Sequence, residues 1–88
     1  MSEERKKAAL YLKTAKGQID AILRMLEEGR YCMDISDQIS AASALVKKAN
    51  VEILQGHLNS CLKTAIINEE NIDKKMEEIH NALLKMTK

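Results

Sequence analysis

Three side chains in this sequence carry metal-binding or thiol chemistry: Cys32, His57 and Cys61. His57 and Cys61 are four residues apart, so on a helix they share one face. An imidazole and a thiolate at that spacing can chelate one ion. A lone His-x-x-x-Cys is also what a packed cysteine beside a helix histidine looks like. Cys32 precedes His57 by 25 residues. If the intervening stretch is one helix, the two lie ~37 Å apart and cannot meet within a chain. They can meet between two chains whose middle helices pack antiparallel, with a twofold axis near Leu45-Val46. The small residues Ala41-Ala42-Ser43-Ala44 fall at that axis and allow close approach. An isologous dimer then holds two identical sites, each with Cys32 from one chain and His57 and Cys61 from the other. Two thiolates and one imidazole suit a soft ion. Three protein ligands favour trigonal Cu(I), whereas Zn(II) normally takes a fourth. Tyr31 and Glu77 are candidates to hold the imidazole by hydrogen bonding, or else ordinary surface or packing residues. Met33, beside Cys32, is a weaker candidate for a soft ligand. His80 reads as exposed.

The elements that must position these groups are helical. Leu12, Ala15, Ile19, Ile22 and Leu26 recur at spacings of three and four, with Glu28-Gly29 as the stop and Gly29 as its cap. Gly17 interrupts the pattern and marks either a close approach or a kink. A second, longer stripe runs through Ile35, Ile39, Ala42, Val46, Ala49, Ile53 and Ser60, with Gly56 in its gap. It starts near Cys32 to Asp34, capped by Asp34 or Ser36, and ends near Ile66-Ile67. A third stripe, Ile72, Met76, Ile79, Leu83 and Met86, follows an N-cap at Asn68, with Glu69 and Glu70 suited to the positive helix start. Met25, Met76 and Met86 read as core. The expected fold is all-α: three helices with a long middle one, an antiparallel dimer forming a four-helix-bundle core, and one domain over residues 1–88.

Composition agrees. The chain has 88 residues, with Tyr11 and Tyr31 as its aromatics and no Phe, Trp or Pro. That excludes a small β-sandwich or barrel. Two cysteines are too few for a disulfide-stapled scaffold, and 45% apolar residues are too many for a disordered chain. A net charge of +1 is not the balance of a strongly basic nucleic-acid binder. Basic residues nevertheless cluster, with Arg5, Lys6, Lys7, Lys13 and Lys16 free of acids and Lys47-Lys48 further on. Such runs are commonly solvated helix faces. No apolar run reaches the ~18 residues of a membrane span. The polar start Met1-Ser2-Glu3-Glu4-Arg5 is not a signal peptide, so the expected location is cytoplasmic. No phosphate loop, Ser/His/Asp set or paired catalytic acids are present. A sensor is therefore expected rather than an enzyme, with no small-molecule substrate and no membrane partner.

At these residues the sequence resembles the copper-sensitive operon repressor (CsoR) family, whose relatives sense nickel, formaldehyde and persulfide. The matching parts are Gly17-Gln18, the run from Arg24 through Tyr31-Cys32-Met33-Asp34-Ile35, Gln38-Ile39, and His57-Leu58 with Cys61. The resemblance implies an all-helical dimer of dimers that binds operator DNA when metal-free. It implies that Cu(I), held between protomers by Cys32, His57 and Cys61, releases that DNA and derepresses copper-homeostasis genes. It places Tyr31 and Glu77 around the imidazole. Nickel and cobalt sensors of the family carry an N-terminal His and a His at the position of Cys61. The persulfide sensors keep both cysteines and lack the His, which leaves a persulfide-sensing repressor acting through Cys32 and Cys61 as the alternative. Lys48 matches a basic position used for DNA in the family, and Lys13, Lys16 and Lys47 are further candidates. The stretch Tyr11-Leu12-Lys13-Thr14-Ala15-Lys16 departs from the Arg-rich run of many members, and Asp20 stands where a basic residue is common. No helix-turn-helix recognition helix is evident, so readout is expected to lean on DNA shape.

Overall fold

The computed structural model describes residues 1–68 and 72–86. Those residues form three helices, α1 (Glu3–Glu27), α2 (Cys32–Asn68) and α3 (Ile72–Met86). α1 and α3 each pack on α2 and not on one another. The Cα trace measures 58 × 28 × 12 Å, an elongated slab.

Local chemistry sets the ends. Ser2 caps α1, its Oγ accepting from the Arg5 N–H at 3.2 Å, and Glu3 and Glu4 occupy the positive first turn. The helix passes through Gly17 unbroken, and a Cβ there would meet nothing within 4 Å. Gly17 therefore neither interrupts the helix nor marks a close approach within the chain. At the other end the cap is Glu28, and Gly29 lies one residue beyond it with φ +66°. The Arg30 N–H donates to the Met25 carbonyl and the Gly29 N–H to that of Leu26, at 3.0 and 3.2 Å. This is a Schellman turn, and its left-handed residue is the reason for glycine. α2 then starts at Cys32, with the Asp34 and Ile35 N–H groups donating to the Tyr31 carbonyl. Asp34 and Ser36 thus lie inside the helix rather than at its cap. Likewise Asn68 closes α2 instead of capping α3. Glu69 and Glu70, expected in the first turn of α3, lie outside the described residues.

Two stripes that look single in the sequence divide in the fold. Ala8, Ala15 and Ile22 of α1 are buried, each seven residues from the next. So are Ile35, Ala42 and Ala49 of α2. A seven-residue repeat keeps one seam between two helices. Ile22, Ile35 and Ala42 form its apolar cluster, with Met25 half-buried against them. Small residues dominate the rest of the seam, so the helices pack closely. Gly56 continues the α2 series, and a Cβ there would stand 3.0 Å from the Glu4 Cβ. The other half of each stripe faces solvent: Leu12, Ile19 and Leu26 on α1, and Ile39, Val46 and Ile53 on α2. These too are seven apart, and each is 41–56% exposed. A side chain of this kind contributes roughly 1.5–3 kcal/mol when fully buried, so one chain leaves much of its apolar surface unburied. Ala42 is buried against α1, while Ala41, Ser43 and Ala44 are exposed. On α3, Ile79 is buried, but Met76, expected in the core, is 44% exposed.

Replacing Gly29 with Ala forces a Cβ into the left-handed region and is expected to cost about 1 kcal/mol. Urea unfolding of Gly29→Ala beside the parent checks this, and an unchanged midpoint would contradict the turn described.

Candidate metal centre

His57 and Cys61 project from one face of α2, near the end where α3 docks. The His57 Nε2 is 3.4 Å from the Cys61 Sγ, and the Nδ1 is 3.7 Å from it. His57 is exposed and Cys61 half-buried, so the pair is open to an incoming group. The Glu78 Oε1 approaches the same Nε2 at 3.6 Å, an ion pair only when the imidazole is protonated. The α3 carboxylate at His57 is thus Glu78, whereas the sequence reading pointed to Glu77. The signal that could have found Glu78 is the α3 stripe itself. Ile79 is the residue α3 buries, and a neighbour of a buried position lies at the edge of the contact.

Cys32 is the first residue of α2, next to Tyr31, and both are exposed. The helix is continuous from Cys32 to Asn68, so Cys32 stands ~37 Å along it from His57. Among the described residues, no three His, Cys, Asp or Glu side chains of one chain gather to hold a metal. The chain therefore brings two of the three sequence-predicted donors together and holds the third at its opposite end. The donor chemistry, two free thiols and an imidazole, fits a soft ion. His80 is exposed, as expected.

The turn from His57 to Cys61 also touches the start of α1. Asn59 Nδ2 donates to Glu4 Oε1 at 3.1 Å. The Glu4 carboxyl is held below the ordinary carboxylate range, first by its own backbone N–H and then by the Asn59 amide. Sequence reasoning missed this contact because 55 residues separate its partners.

Lys13, Lys16, Lys47 and Lys48 are all exposed. Lys47 and Lys48 join Tyr11, Val51 and Glu52 around a shallow groove of about 320 Å³ between α1 and α2. Lys13 and Lys16 are not part of that groove. No described helix is long and apolar enough to cross a membrane.

Comparison with known proteins extends these findings. The family described as "Metal-sensitive transcriptional repressor" matches residues 4–85. The copper-sensing transcriptional repressor CsoR of Mycobacterium tuberculosis is 44% identical over 72 residues, which is 77% of this chain and 60% of that protein. The chain thus spans about three-fifths of the length of the mycobacterial relatives it matches. The CsoR of Bacillus subtilis is 33% identical over 87 residues, 99% of this chain and 85% of that protein. The solved copper-sensing repressor CsoR with Cu(I) from Geobacillus thermodenitrificans NG80-2 superposes with a TM-score of 0.79 at 31% identity. It covers 100% of this chain and 91% of that one.

Cys32 and Cys61 are 29 helical residues apart, ~43 Å, far beyond disulfide reach. Mild oxidation is therefore expected to yield a covalent dimer of twice 9.9 kDa on a non-reducing gel. A monomeric band with both thiols lost to one bridge would contradict the continuous α2.

Proposed function

Since the chain belongs to the family of metal-sensitive transcriptional repressors, we propose that it is a Cu(I)-responsive repressor. It binds operator DNA when metal-free and leaves it on Cu(I) binding, derepressing copper-homeostasis genes. The observation that carries this reading is the donor set: two free thiols and an imidazole, with the Cys61 Sγ 3.4 Å from the His57 Nε2. A hard or borderline ion would call for oxygen donors or a fourth ligand. The relatives named as copper sensors and the solved repressor with Cu(I) support it.

The metal centre lies between protomers: Cys32 of one chain joins the partner's His57 and Cys61. Two features support this. The helix rise forbids closure within one chain. The exposed ribbons Leu12-Ile19-Leu26 and Ile39-Val46-Ile53 supply an apolar face for an antiparallel pair, giving the four-helix-bundle core. Tyr31 arrives with Cys32, and Glu77, one residue from the carboxylate at His57, joins it in holding the imidazole by hydrogen bonds. Two such dimers form the tetramer, which acts in the cytoplasm as a single domain over residues 1–88. The tetramer gathers four copies of Lys13, Lys16, Lys47 and Lys48, and these contact phosphates. The protein's residues act by binding and by position alone. Filling the centre favours one arrangement of the paired helices over the DNA-competent one, and a few kcal/mol of difference gives strong derepression.

The exposure of Cys32 favours a second reading. Oxidised by an incoming persulfide or polysulfide, which takes up the two electrons and leaves as a thiol or hydrosulfide, Cys32 and the partner's Cys61 would be joined in a di- or polysulfide, making the chain a persulfide sensor.

Anaerobic Cu(I) titration of the protein–operator complex tests the proposal. Cu(I) is expected to release the DNA, and Cys32→Ala is expected to abolish tight binding and release. His57→Ala keeps weaker binding through the two thiolates but no longer releases DNA. Release by polysulfide and not by Cu(I) would select the second reading. Mixing Cys32→Ala with a His57→Ala/Cys61→Ala chain is expected to restore one complete centre per mixed dimer. No recovery there would exclude a shared site. Each of Lys47→Ala and Lys48→Ala is expected to weaken DNA binding across sequences and to reduce the salt slope by about one for every copy that contacts a phosphate.

A further inference from the structure

The start of α1 carries basic residues and is fastened to the turn that carries two of the three donors. Glu4 immediately precedes Arg5, Lys6 and Lys7, and Lys13 and Lys16 follow on the same helix. Its carboxylate accepts from Asn59, which lies between His57 and Cys61. Beneath it the backbone of Gly56, the residue before His57, leaves room for the Glu4 side chain. A Cβ on Gly56 would lie 3.0 Å from the Glu4 Cβ and 3.5 Å from its Cγ. Ser2, Glu4, Gly56, His57 and Ser60 line one shared recess at this junction. The contact is therefore both steric and polar, and it joins segments more than 50 residues apart.

We propose that Glu4 and Asn59, seated on Gly56, are positioning residues that tie the placement of the basic α1 start to the conformation of the 56–61 turn. This deepens the function proposed above and rests on it. When His57 and Cys61 are drawn together with the partner's Cys32, the turn that holds Asn59 is re-set. Glu4 is then carried or released, and with it the lysines and arginine that follow. Two groups of one chain, a carboxylate and an amide, thus connect the inducer face to the DNA face without touching either ligand. The hydrogen bond holds the DNA-competent placement, so its loss reduces the difference that the inducer makes.

The test compares DNA affinity without and with Cu(I), together with Cu(I) affinity, for the parent, Glu4→Ala, Glu4→Gln and Asn59→Ala. Using the ratio cancels the uniform gain in DNA affinity from removing a negative charge near phosphates. Asn59→Ala and Glu4→Ala are expected to bind Cu(I) like the parent but to lose about tenfold in the ratio. Glu4→Gln keeps an acceptor oxygen and is expected to retain the parental ratio. A metal-free arm uses Gly56→Ala, whose Cβ displaces Glu4. It is expected to weaken DNA binding about threefold or more with no Cu(I) present. Parental ratios in Asn59→Ala and Glu4→Ala would overturn the coupling and leave the function standing. Equal loss in Glu4→Gln and Glu4→Ala would also overturn it, as would parental metal-free affinity in Gly56→Ala. A parent that keeps its DNA when Cu(I) is added would remove the proposed function and the coupling together.

Discussion

A residue in an α-helix advances the chain by about 1.5 Å, and α2 runs for 37 residues without a break. Its length separates the thiol at its first residue from the imidazole and thiol near its far end. It also decides the outline of the molecule, because α1 and α3 can only lie along it. A chain built this way has no centre in which three donors could converge. It has two ends, each with an incomplete set. In the proposed dimer a second chain running the other way closes that set, which would make association and ligand binding parts of one process.

The same geometry explains the two apolar seams. A helix that packs on one neighbour needs one narrow stripe, and the buried series Ala8-Ala15-Ile22 and Ile35-Ala42-Ala49 supply it. The remaining apolar residues, offset by about one turn, form a second, exposed stripe, the face that the proposed dimer would cover. Small residues inside the hairpin and larger ones outside divide the work. The inner seam gains close backbone approach, and the outer face keeps the Leu, Ile and Val side chains whose burial stabilises association most.

Much of this was legible in the sequence. The three helices, the stop at Glu28-Gly29, the start of α2 near Cys32 and the spacing of the donors all follow from local rules. What was not legible depends on which neighbour a face meets. Periodicity gave Leu12 and Ala15 as one stripe, and only packing separates them. Gly17 and Gly56 look alike in the sequence, yet the first faces open space and the second sits under Glu4. Glu77 and Glu78 differ by one position on α3, and the docking angle of that helix decides which reaches His57. The capping assignments at Asp34 and Asn68 failed for a related reason. Both residues are good caps in isolation, but α2 already begins at Cys32 and still includes Asn68.

The slab is 12 Å thick at the level of its Cα atoms, close to a single layer of helices. Cys32 and His57 are exposed and Cys61 half-buried, and none belongs to the buried seam. The three candidate donors and the residues that hold the hairpin are therefore separate sets. Exchanging a donor at either end of α2 leaves the apolar cluster of the hairpin in place, and the seam meets the 57–61 turn at Gly56, under Glu4. Under the proposed function, such a scaffold is free to change what it detects by one or two substitutions while its fold persists.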